Sequence, residues 1–295
     1  MRVLVTGASG FVGRNLVPQL SANPKIEVTA SDTVSSASDP NVSFLDVTDD
    51  AATSKALRGI DVVVHLATHQ LVPSLSDPRQ NAKVNIIGML NILEGARVAN
   101  VRKVIFTSAS SIVGEVSYNP VDEKHPCEPR TPYGVSKLAC EHYLKTYQRL
   151  FGLDYVIFRV FNIYGPHQRD GVIPSIYHKI NNDLEVDIYG DGGQMRDFVF
   201  IGDIGEIFAE AIVGEIKNLT VNIGTGKGVT ILDLAKLAWK IIGKDPKLKF
   251  HPPRPGEIQN FVADTRLLKS AFGITPQTDI EEGLHRTFDW LAKAS

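Results

Sequence analysis

Cysteine is scarce in this chain: Cys127 and Cys140 are the two thiols in 295 residues. Two cysteines cannot form a disulfide framework, and such low usage is typical of a reducing compartment. Neither has a second pair of ligands at metal-binding spacing, so the sequence predicts no metal site. His65 and His69 also lack a third ligand nearby, and we expect them to make local hydrogen bonds.

Strong net charge and long apolar runs are absent as well. The formal net charge is −2, which argues against a nucleic-acid or membrane partner recognised by bulk charge. No apolar run approaches the roughly 20 residues that span a bilayer, and we expect no signal peptide because the first predicted strand follows Met1. We find no internal repeat. These absences predict a cytoplasmic protein.

What the chain does have is an alternation of β-branched apolar runs with helical periods, which is typical of a parallel sheet covered on both faces. The predicted strands are Val3–Thr6, Glu27–Ser31, Val42–Leu45, Val62–Leu66, Lys103–Thr107 and Tyr155–Arg159. The predicted helices are Val12–Ser21, Ala51–Leu57, Pro78–Asn100 and Pro132–Phe151. This pattern predicts an α/β fold with a doubly wound parallel sheet of the Rossmann type.

The rhythm changes after about residue 160, where shorter elements carry more Gly and Pro. We therefore predict a dinucleotide-binding Rossmann domain over residues 1–165 and a second, smaller α/β substrate lobe over residues 166–295. Parts of residues 195–220 are expected to return to the first domain.

A glycine-rich loop, Gly7, Gly10 and Gly13, follows the first strand and opens a helix. There a tight turn lets the backbone approach a pyrophosphate at the helix N-terminus. Asp32 ends the next strand, where its carboxylate can accept hydrogen bonds from both hydroxyls of an adenosine ribose. A carboxylate would repel a 2′-phosphate, and residues 33–39 contain no arginine. The sequence predicts NAD rather than NADP.

Two further strand ends reach the carboxyl edge of the predicted sheet, where open α/β sheets bind ligands. Asp46 and Val47 follow the third strand, and Leu66, Ala67 and Thr68 end the fourth. Asp46 has two interpretations: a contact to the adenine amine, or a cap for the helix that follows.

Tyr133 and Lys137 lie one turn apart on the same face of a predicted helix. The ammonium of Lys137 can lie near the phenol of Tyr133 and stabilise its phenolate. The pair predicts a general base for a sugar or alcohol hydroxyl.

Several motifs in order resemble the extended short-chain dehydrogenase/reductases, in particular the NAD-dependent nucleotide-sugar epimerase/dehydratase family typified by UDP-glucose 4-epimerases. The motifs are residues 6–13 (TGASGFVG), 65–67 (HLA), 77–88 (DP to VNIIG), 133–137 (YGVSK), 159–166 (RVFNIYGP), 189–198 (YGDGGQMRDF), 222–226 (NIGTG) and 254–257 (RPGE). They span nearly the whole chain.

The resemblance implies a role for each matching position. Tyr133 would be the acid/base, and Lys137 would hold the nicotinamide ribose and lower the tyrosine pKa. Asn85 and Phe161 would lie near the nicotinamide. The residues predicted to contact NAD are Gly7, Ser9, Gly10, Phe11, Val12, Gly13, Asp32, Asp46, Val47, Leu66, Ala67, Thr68, Asn85, Ser108, Tyr133, Lys137 and Phe161.

For the nucleotide-sugar substrate, the resemblance implies that Asn162 contacts the ligand and that Glu257 lies near the nucleoside ribose. Arg196 and Arg254 would close on the two phosphates, for which guanidinium forks are well suited. The alternatives are an ion pair between Arg196 and Asp197, and an unbound loop charge at Arg254.

The chain departs from the family at the end of the fifth strand. The family has a Ser or Thr where this chain has Ala109, and that hydroxyl contacts the substrate and the tyrosine. Ser108 and Ser110 flank the position. We expect Ser110 or Ser108 to substitute, with Ser110 ahead because it lies in the looser part; the alternative is that Tyr133 works without a helper.

The same segment narrows the reaction. Dehydratases and decarboxylases of the family carry carboxylates just after that position, whereas this chain has Ser110 and Ser111. Elimination and decarboxylation are therefore disfavoured. We expect epimerisation at C4 of a UDP-glucose or UDP-galactose type sugar through a 4-keto intermediate. The alternatives are a nucleotide-sugar reductase of the same fold and a noncatalytic NAD-binding regulator.

The two long helices also predict an assembly. Apolar residues such as Ile86, Leu90, Leu93, Leu138, Tyr143 and Leu150 lie along them. Relatives pair these helices across a two-fold axis, which implies a homodimer. The alternative is that these residues pack on the sheet.

Overall fold

The fold is given by a computed structural model that describes residues 1–34, 41–254 and 257–294. Its first eight strands are β1 (Arg2–Thr6), β2 (Glu27–Asp32), β3 (Val42–Phe44), β4 (Val62–His65), β5 (Lys103–Ala109), β6 (Asp154–Val160), β7 (Asn162–Tyr164) and β8 (Val186–Tyr189). The next six are β9 (Met195–Arg196), β10 (Phe198–Phe200), β11 (Leu219–Ile223), β12 (Val229–Thr230), β13 (Leu248–His251) and β14 (Asn260–Phe261).

The helices include two long segments that carry site residues. In chain order they are α1 (Phe11–Ser21), α2 (Asp50–Ala56), α3 (Leu71–Ser76), α4 (Pro78–Ala82), α5 (Gly88–Val98), α6 (Pro132–Phe151), α7 (Val172–Asn181), α8 (Ile204–Val213), α9 (Ile231–Ile242), α10 (Arg266–Phe272) and α11 (Ile280–Ala294). A π-helical turn, Lys83–Ile87, joins α4 to α5, and a 3₁₀ turn, Ser110–Ile112, follows β5.

Seven strands form one parallel sheet in the order β11-β6-β5-β4-β1-β2-β3. Side chains alternate between its faces: Val3 and Val5 belong to one buried cluster, whereas Leu4 belongs to the other. Both faces are therefore covered, as the apolar strands predicted. The doubly wound fold is confirmed.

The six predicted strands match β1 to β6 with differences of at most two residues at an end. The predicted helix Pro78–Asn100 is helical from Pro78 to Val98, and it contains a π-helical turn at Lys83–Ile87 that the sequence did not predict. The edge strand β11 was missed, although residues 195–220 were expected to return to this domain. Its register aligns Leu219 with Val156 of β6.

The smaller lobe contains two short sheets, β12-β9-β14 and β13-β8, and a third pair, β10-β7, connects it to the end of β6. Strand β9 lies between β12 and β14 and carries Arg196, so its position is fixed from both sides. The carboxyl ends of the main strands face this lobe, and the segment that follows β6 connects the two. In that segment Asn162 donates from its backbone N–H to the Asp197 carbonyl.

Candidate active site

In the glycine loop between β1 and α1, close packing within the protein requires glycine at two positions. Gly7 has a φ of +74°, and a Cβ there would lie 2.6 Å from the Ala67 nitrogen. A Cβ at Gly13 would lie 2.5 Å from the carbonyl oxygens of Gly7 and Ala8. Side chains at these positions would push the loop away from β4 and α1.

Gly10 is different because its surroundings are open. A Cβ there would meet only the Gly7 oxygen, at 3.3 Å. Gly10 is also the N-cap of α1 and supplies no side-chain cap to the first N–H groups of that helix. A side chain would cover this helix end, whereas glycine leaves it accessible to an anion. The loop thus fits the pyrophosphate of the predicted dinucleotide.

Asp32 lies at the end of β2 beside this loop. Its Oδ2 accepts the backbone N–H of Ser9 at 2.9 Å, and its Oδ1 accepts the N–H of Val34 at 3.0 Å. These bonds fix the carboxylate next to the glycine loop, as binding of an adenosine ribose requires. Of the arginine-free segment used to predict NAD, residues 35–39 lie outside the described residues.

At the neighbouring strand end, Asp46 makes a local turn. Its Oδ1 accepts the N–H of Thr48 at 2.9 Å. The N-cap of α2 is Asp49, which accepts the N–H of Ala52, so the alternative interpretation of Asp46 as that cap is wrong. Val47 is buried, and its Cγ2 would lie 2.7 Å from a Cβ at Gly88. Val47 therefore holds α5 close to this edge of the sheet.

The residues at the end of β4 contact Thr6, the last residue of β1. Leu66 is buried, and the N–H of Ala67 points to the Thr6 hydroxyl at 3.4 Å. The same hydroxyl bonds Nδ1 of His65 at 2.8 Å. Burial lowers the pKa of His65 to about 3, with a further contribution from the charge of Lys137. His65 is therefore a neutral, hydrogen-bonded core histidine, as predicted.

Asn85 lies in the π-helical turn and joins three elements. Its Oδ1 accepts the N–H of His69 at 2.7 Å and the hydroxyl of Thr68 at 3.2 Å. Its Nδ2 donates to the Ser136 hydroxyl in α6 at 2.8 Å. Ser136 in turn donates to the Tyr133 carbonyl at 2.8 Å. The buried amide thus connects the end of β4 to the helix that carries Tyr133. π-helical turns often mark functional sites.

Tyr133 and Lys137 lie in the first two turns of α6, which begins after its N-cap Thr131. The Lys137 Nζ lies 5.5 Å from the centre of the Tyr133 ring and 4.7 Å from that of Phe106. It donates to the Thr107 carbonyl at 2.8 Å. The structure therefore brings the two side chains together on one face of the helix, at the end of β5.

The electrostatics of the pair differ from the expectation. Burial raises the pKa of Tyr133 to about 12, although a hydrogen bond from the Thr68 hydroxyl acts in the opposite direction. Burial lowers the pKa of Lys137 to about 8. Desolvation is thus the largest influence on the pKa of Tyr133, and it disfavours the phenolate that was predicted from the position of Lys137. In this state Tyr133 is a protonated phenol at neutral pH.

Ala109 ends β5, and the serines on either side of it are placed differently. Ser108 is buried, and its hydroxyl donates to Glu141 at 2.7 Å; Arg159 pairs with the same carboxylate at 2.8 Å. The prediction that Ser108 serves Tyr133 is wrong, because its hydroxyl is held by Glu141, two turns further along α6. Ser110 is buried at the start of the 3₁₀ turn. Within the described ranges no hydrogen bond joins its side chain to Tyr133.

The segment after β6 carries the next predicted residues. Phe161 is buried and packs its ring 5.0 Å from that of Phe261 in the smaller lobe. Asn162 is half-buried, and its Nδ2 donates to the Asp197 carbonyl at 3.1 Å. These contacts place both residues between the main sheet and the smaller lobe.

Arg196 does not pair with Asp197, so that alternative interpretation is wrong. Asp197 is fully buried and accepts the N–H groups of Thr225, Gly226 and Ala263. The Arg196 Nη2 lies 3.5 Å from the Glu257 carboxylate. Burial lowers the pKa of Arg196, against the opposite influence of Glu257. The structure thus brings together two of the residues predicted to bind the substrate.

Arg254 is exposed, and its guanidinium lies 3.9 Å from the centre of the Tyr189 ring. The other predicted clamp residue, Arg196, is held by Glu257, and the two residues between Arg254 and Glu257 lie outside the described ranges. A cavity of about 360 Å³ adjoins Glu257 and is lined from the first domain by Glu115, Tyr118 and Arg130. The cavity therefore lies where the smaller lobe meets the loop after β5.

Sequence reasoning missed one member of this site: Ser136, which bonds Asn85, was quoted only as part of the motif at residues 133–137. Among the described residues, no cluster of three His, Cys, Asp or Glu side chains could hold a metal ion. No described helix is long and apolar enough to cross a bilayer.

Comparisons with known proteins agree on one family. The model of the NAD-dependent epimerase/dehydratase family matches residues 3–224. A putative UDP-glucose 4-epimerase of Methanocaldococcus jannaschii is 35% identical over 302 residues, covering 98% of each chain. The Thermotoga maritima UDP-glucose 4-epimerase, solved with UDP-glucose, is 33% identical with a TM-score of 0.91 and covers 100% of this chain and 99% of its own. The Bacillus cereus UDP-glucuronic acid 4-epimerase, solved with its sugar nucleotide and NAD, is 30% identical with a TM-score of 0.92 and covers 100% of both.

Proposed function

Because the chain belongs to the NAD-dependent epimerase/dehydratase family, we propose that it epimerises a UDP-sugar at C4, with UDP-glucose and UDP-galactose as the pair. NAD is the cofactor of this family and is bound in the Bacillus cereus relative. The family predicted from the motifs is confirmed.

One observation carries the choice of reaction. Tyr133 and Lys137 face the end of β5, where the chain has Ala109, Ser110 and Ser111 and no carboxylate. Eliminating water requires an additional acid and base next to the tyrosine, and these positions supply neither. Chemistry that needs one acid/base remains, and epimerisation is such a reaction.

In the proposed reaction, Tyr133 takes the proton of the sugar 4-hydroxyl as C4 is oxidised and returns a proton to the same oxygen at the end. When bound, NAD would supply the hydride acceptor for C4 and the hydride donor for the 4-keto sugar. Lys137, fixed by the Thr107 carbonyl, places its positive charge beside the phenol and favours the phenolate. The glycine loop and Asp32 hold the dinucleotide, and Thr68 and Asn85 hold the end of β4 against α6.

The 4-keto sugar must present its other face before C4 is reduced. We assign the diphosphate to Arg196 and Arg254, with Asn162 and Glu257 beside it, because paired guanidinium groups bind phosphate oxygens with defined geometry. The cavity of about 360 Å³ next to Glu257 adjoins the residue predicted near the nucleoside ribose, so we assign it to the nucleoside end of the substrate. A clamp on the diphosphate that leaves the sugar free to turn is the requirement of this step.

The test is to incubate the purified protein separately with UDP-glucose, UDP-N-acetylglucosamine and UDP-glucuronic acid, without added cofactor, and to resolve the epimers. We expect UDP-galactose from UDP-glucose. Turnover that requires stoichiometric NADH would show the reductase instead. Binding of NAD and UDP-sugar without turnover would show the regulator.

We also propose a homodimer that pairs α5 and α6 with their copies. Leu93 is buried, so this residue packs on the sheet, as the alternative interpretation of the apolar residues predicted. Val98, Tyr143, Leu150 and Phe151 are exposed along the same two helices, and Ile87 is exposed in the π-helical turn that precedes α5. An apolar strip of this kind is typical of an interface. Light scattering should give twice the chain mass of 32.3 kDa, and a single-chain mass would refute the dimer.

A further inference from the structure

A buried ion pair lies one turn beyond the acid/base pair on α6. Tyr133, Lys137 and Glu141 are spaced four residues apart, so they share one face of the helix. Glu141 is fully buried. Its Oε1 accepts the Arg159 Nε–H at 3.0 Å, and its Oε2 accepts the Nη2–H at 2.8 Å. The proposed reaction uses neither residue. Because burying two charges is costly, the presence of this pair calls for an explanation.

The ion pair ties α6 to two strands of the main sheet. Ser108 of β5 and Arg159 of β6 are register partners, so both side chains point to the same face of the sheet, towards α6. The Ser108 hydroxyl donates to Glu141 at 2.7 Å. One residue earlier on β5, the Thr107 carbonyl accepts the Lys137 ammonium at 2.8 Å. Successive turns of α6 therefore contact successive residues of β5 through hydrogen bonds.

The geometry of the ion pair is specific for one position of the helix. A two-bond contact between a guanidinium and a carboxylate has a defined geometry, whereas apolar side chains can pack in several registers. A further donor of Arg159, Nη1, bonds the Glu123 carbonyl at 3.0 Å. Lys145, which is partly exposed, lies 3.6 Å from the Glu141 carboxylate. Sliding α6 by one residue along β5 would leave the buried guanidinium without its carboxylate.

We propose that Glu141 and Arg159 are positioning residues for the acid/base: the pair fixes the position of α6 along β5 and thereby holds Lys137 beside Tyr133. This role rests on the proposed function. The Lys137 Nζ lies 5.5 Å from the centre of the Tyr133 ring, and the stabilisation of a phenolate by a nearby charge weakens as the distance grows. A displacement of about 1 Å can cost about 10²-fold in rate. The ion pair acts on the reaction through Lys137 and does not touch the substrate.

The experiment replaces the charged pair by an apolar one. A double variant that combines Glu141→Leu with Arg159→Met removes both buried charges together, and such replacements can preserve stability. Glu123 keeps the N–H of Asn222 at 2.8 Å, so the loop that Arg159 contacts retains an anchor. For this double variant we expect kcat to fall by about 10- to 100-fold, with KM for the UDP-sugar changed by less than about threefold.

A milder variant tests the same role without removing a charge. Ser108→Ala leaves the ion pair intact and removes its bond to β5, so it should fold and lower kcat by about 3- to 10-fold. Should the double variant fail to fold, Ser108→Ala decides, and a parent-like kcat in it would then overturn the inference.

Lys103→Met is the matched control. It removes a different buried charge at the opposite end of β5, where the ammonium donates to the carbonyls of Ala211 and Gly214. It should lower the urea midpoint and keep the parent kcat. A loss of kcat equal to that of the double variant would show a merely structural role for Glu141 and Arg159.

A role through Lys137 also predicts non-additive kinetics. In protein that already carries Lys137→Met, the substitutions at Glu141 and Arg159 should lower kcat by less than about a further threefold, because the group they position is gone. Losses that multiply would overturn the inference, as would a folded double variant with the parent kcat.

A second readout does not depend on turnover. In protein labelled with 3-fluorotyrosine, the ¹⁹F resonance that is missing from Tyr133→Phe belongs to Tyr133. This resonance should shift in the double variant and stay in place in Lys103→Met. If the parent protein epimerises no UDP-sugar, the proposed function fails, yet this resonance still decides whether the ion pair positions the tyrosine. An unshifted resonance in a folded double variant would overturn the inference.

Discussion

At the scale of the residue, the spacing of Tyr133 and Lys137 predicted which side chains meet but not their protonation. The helical period placed both on one face of α6. Their pKa values are set by burial, which is a property of the folded chain: it raises that of Tyr133 to about 12 and lowers that of Lys137 to about 8. Contacts such as that of Lys137 with the Thr107 carbonyl depend on chain segments far apart in sequence.

The first prediction concerns the charge beside the phenol. Replacing Lys137 by Met should lower kcat by about 10²-fold or more, because the phenolate loses its nearby positive charge. The ascending limb of the pH profile should move to higher pH. Steady-state kinetics from pH 6 to 10 would measure both.

Lys145→Met is the matched control, since Lys145 lies two turns further along α6 and pairs with Glu141 at 3.6 Å. Parent-like kinetics are expected from it. Equal losses in the two variants would contradict a specific role for Lys137.

The second prediction concerns Asp32 and the choice of dinucleotide. Asp32→Asn should weaken NAD binding by about tenfold, because one charge-assisted acceptor for the ribose is lost. NADP binding should weaken less or improve, since the repelling charge is gone. Calorimetric titration with each dinucleotide measures the ratio of the NAD and NADP affinities. An unchanged ratio of the two affinities would show that Asp32 does not set the preference.

At the scale of the element, α6 and the helix at Pro78–Asn100 show what local sequence can determine. The bounds of α6 follow from Thr131 at its N-cap and from Gly152, which has a φ of +72° after its last turn. The other helix contains a π-helical turn at Lys83–Ile87. Asn85 in that turn is held by His69 and Ser136, which are distant in sequence. A periodicity count cannot detect such a tertiary contact.

The third prediction concerns the fit of α6 against the turn after β5. A Cβ at Gly134 would lie 2.8 Å from the Ser111 carbonyl oxygen and 2.8 Å from the Pro129 Cβ. Gly134→Ala should therefore destabilise the protein by about 1–3 kcal/mol. Helix propensity alone predicts the opposite sign, a gain of about 0.5–1 kcal/mol. Urea unfolding distinguishes the loss expected from packing from the gain expected from helix propensity. A stabilised variant would contradict this account of the packing.

At the scale of the whole molecule, the alternation of strands and helices predicted the sheet, but the partner of β6 at its edge was missed. Strand β11 lies after the chain has built part of the smaller lobe, and its five residues carry no signal of which sheet they join. The residues proposed to bind the substrate show the same limit: their motifs indicated Arg196 and Glu257, but only the folded lobe shows that these two pair.

The fourth prediction concerns acid stability, to which the buried His65 contributes. Its folded pKa of about 3 lies below the ordinary histidine value of 6.5, so below pH 6.5 the unfolded chain binds a proton that the folded chain does not. Stability must then fall as the pH falls towards 3, by about 1.4 kcal/mol per pH unit from this residue.

His65→Asn keeps a polar group near the Thr6 hydroxyl and removes the titration. Between pH 6 and 4, the unfolding free energy of this variant should fall less steeply than that of the parent, with a difference in slope of about 1.4 kcal/mol per pH unit. Urea melts across this range provide the measurement. Parallel slopes would show that His65 does not remain neutral in the folded protein.

The central claim is that one acid/base at Tyr133 serves a 4-epimerase whose net redox change is zero. The most direct test is to incubate UDP-glucose deuterated at C4 with the purified protein, without added cofactor, and to analyse the UDP-galactose by mass spectrometry. Tyr133 exchanges only the hydroxyl proton, so the product should keep its deuterium at C4. Loss of the deuterium to solvent, or no product unless NADH is added, would contradict the account.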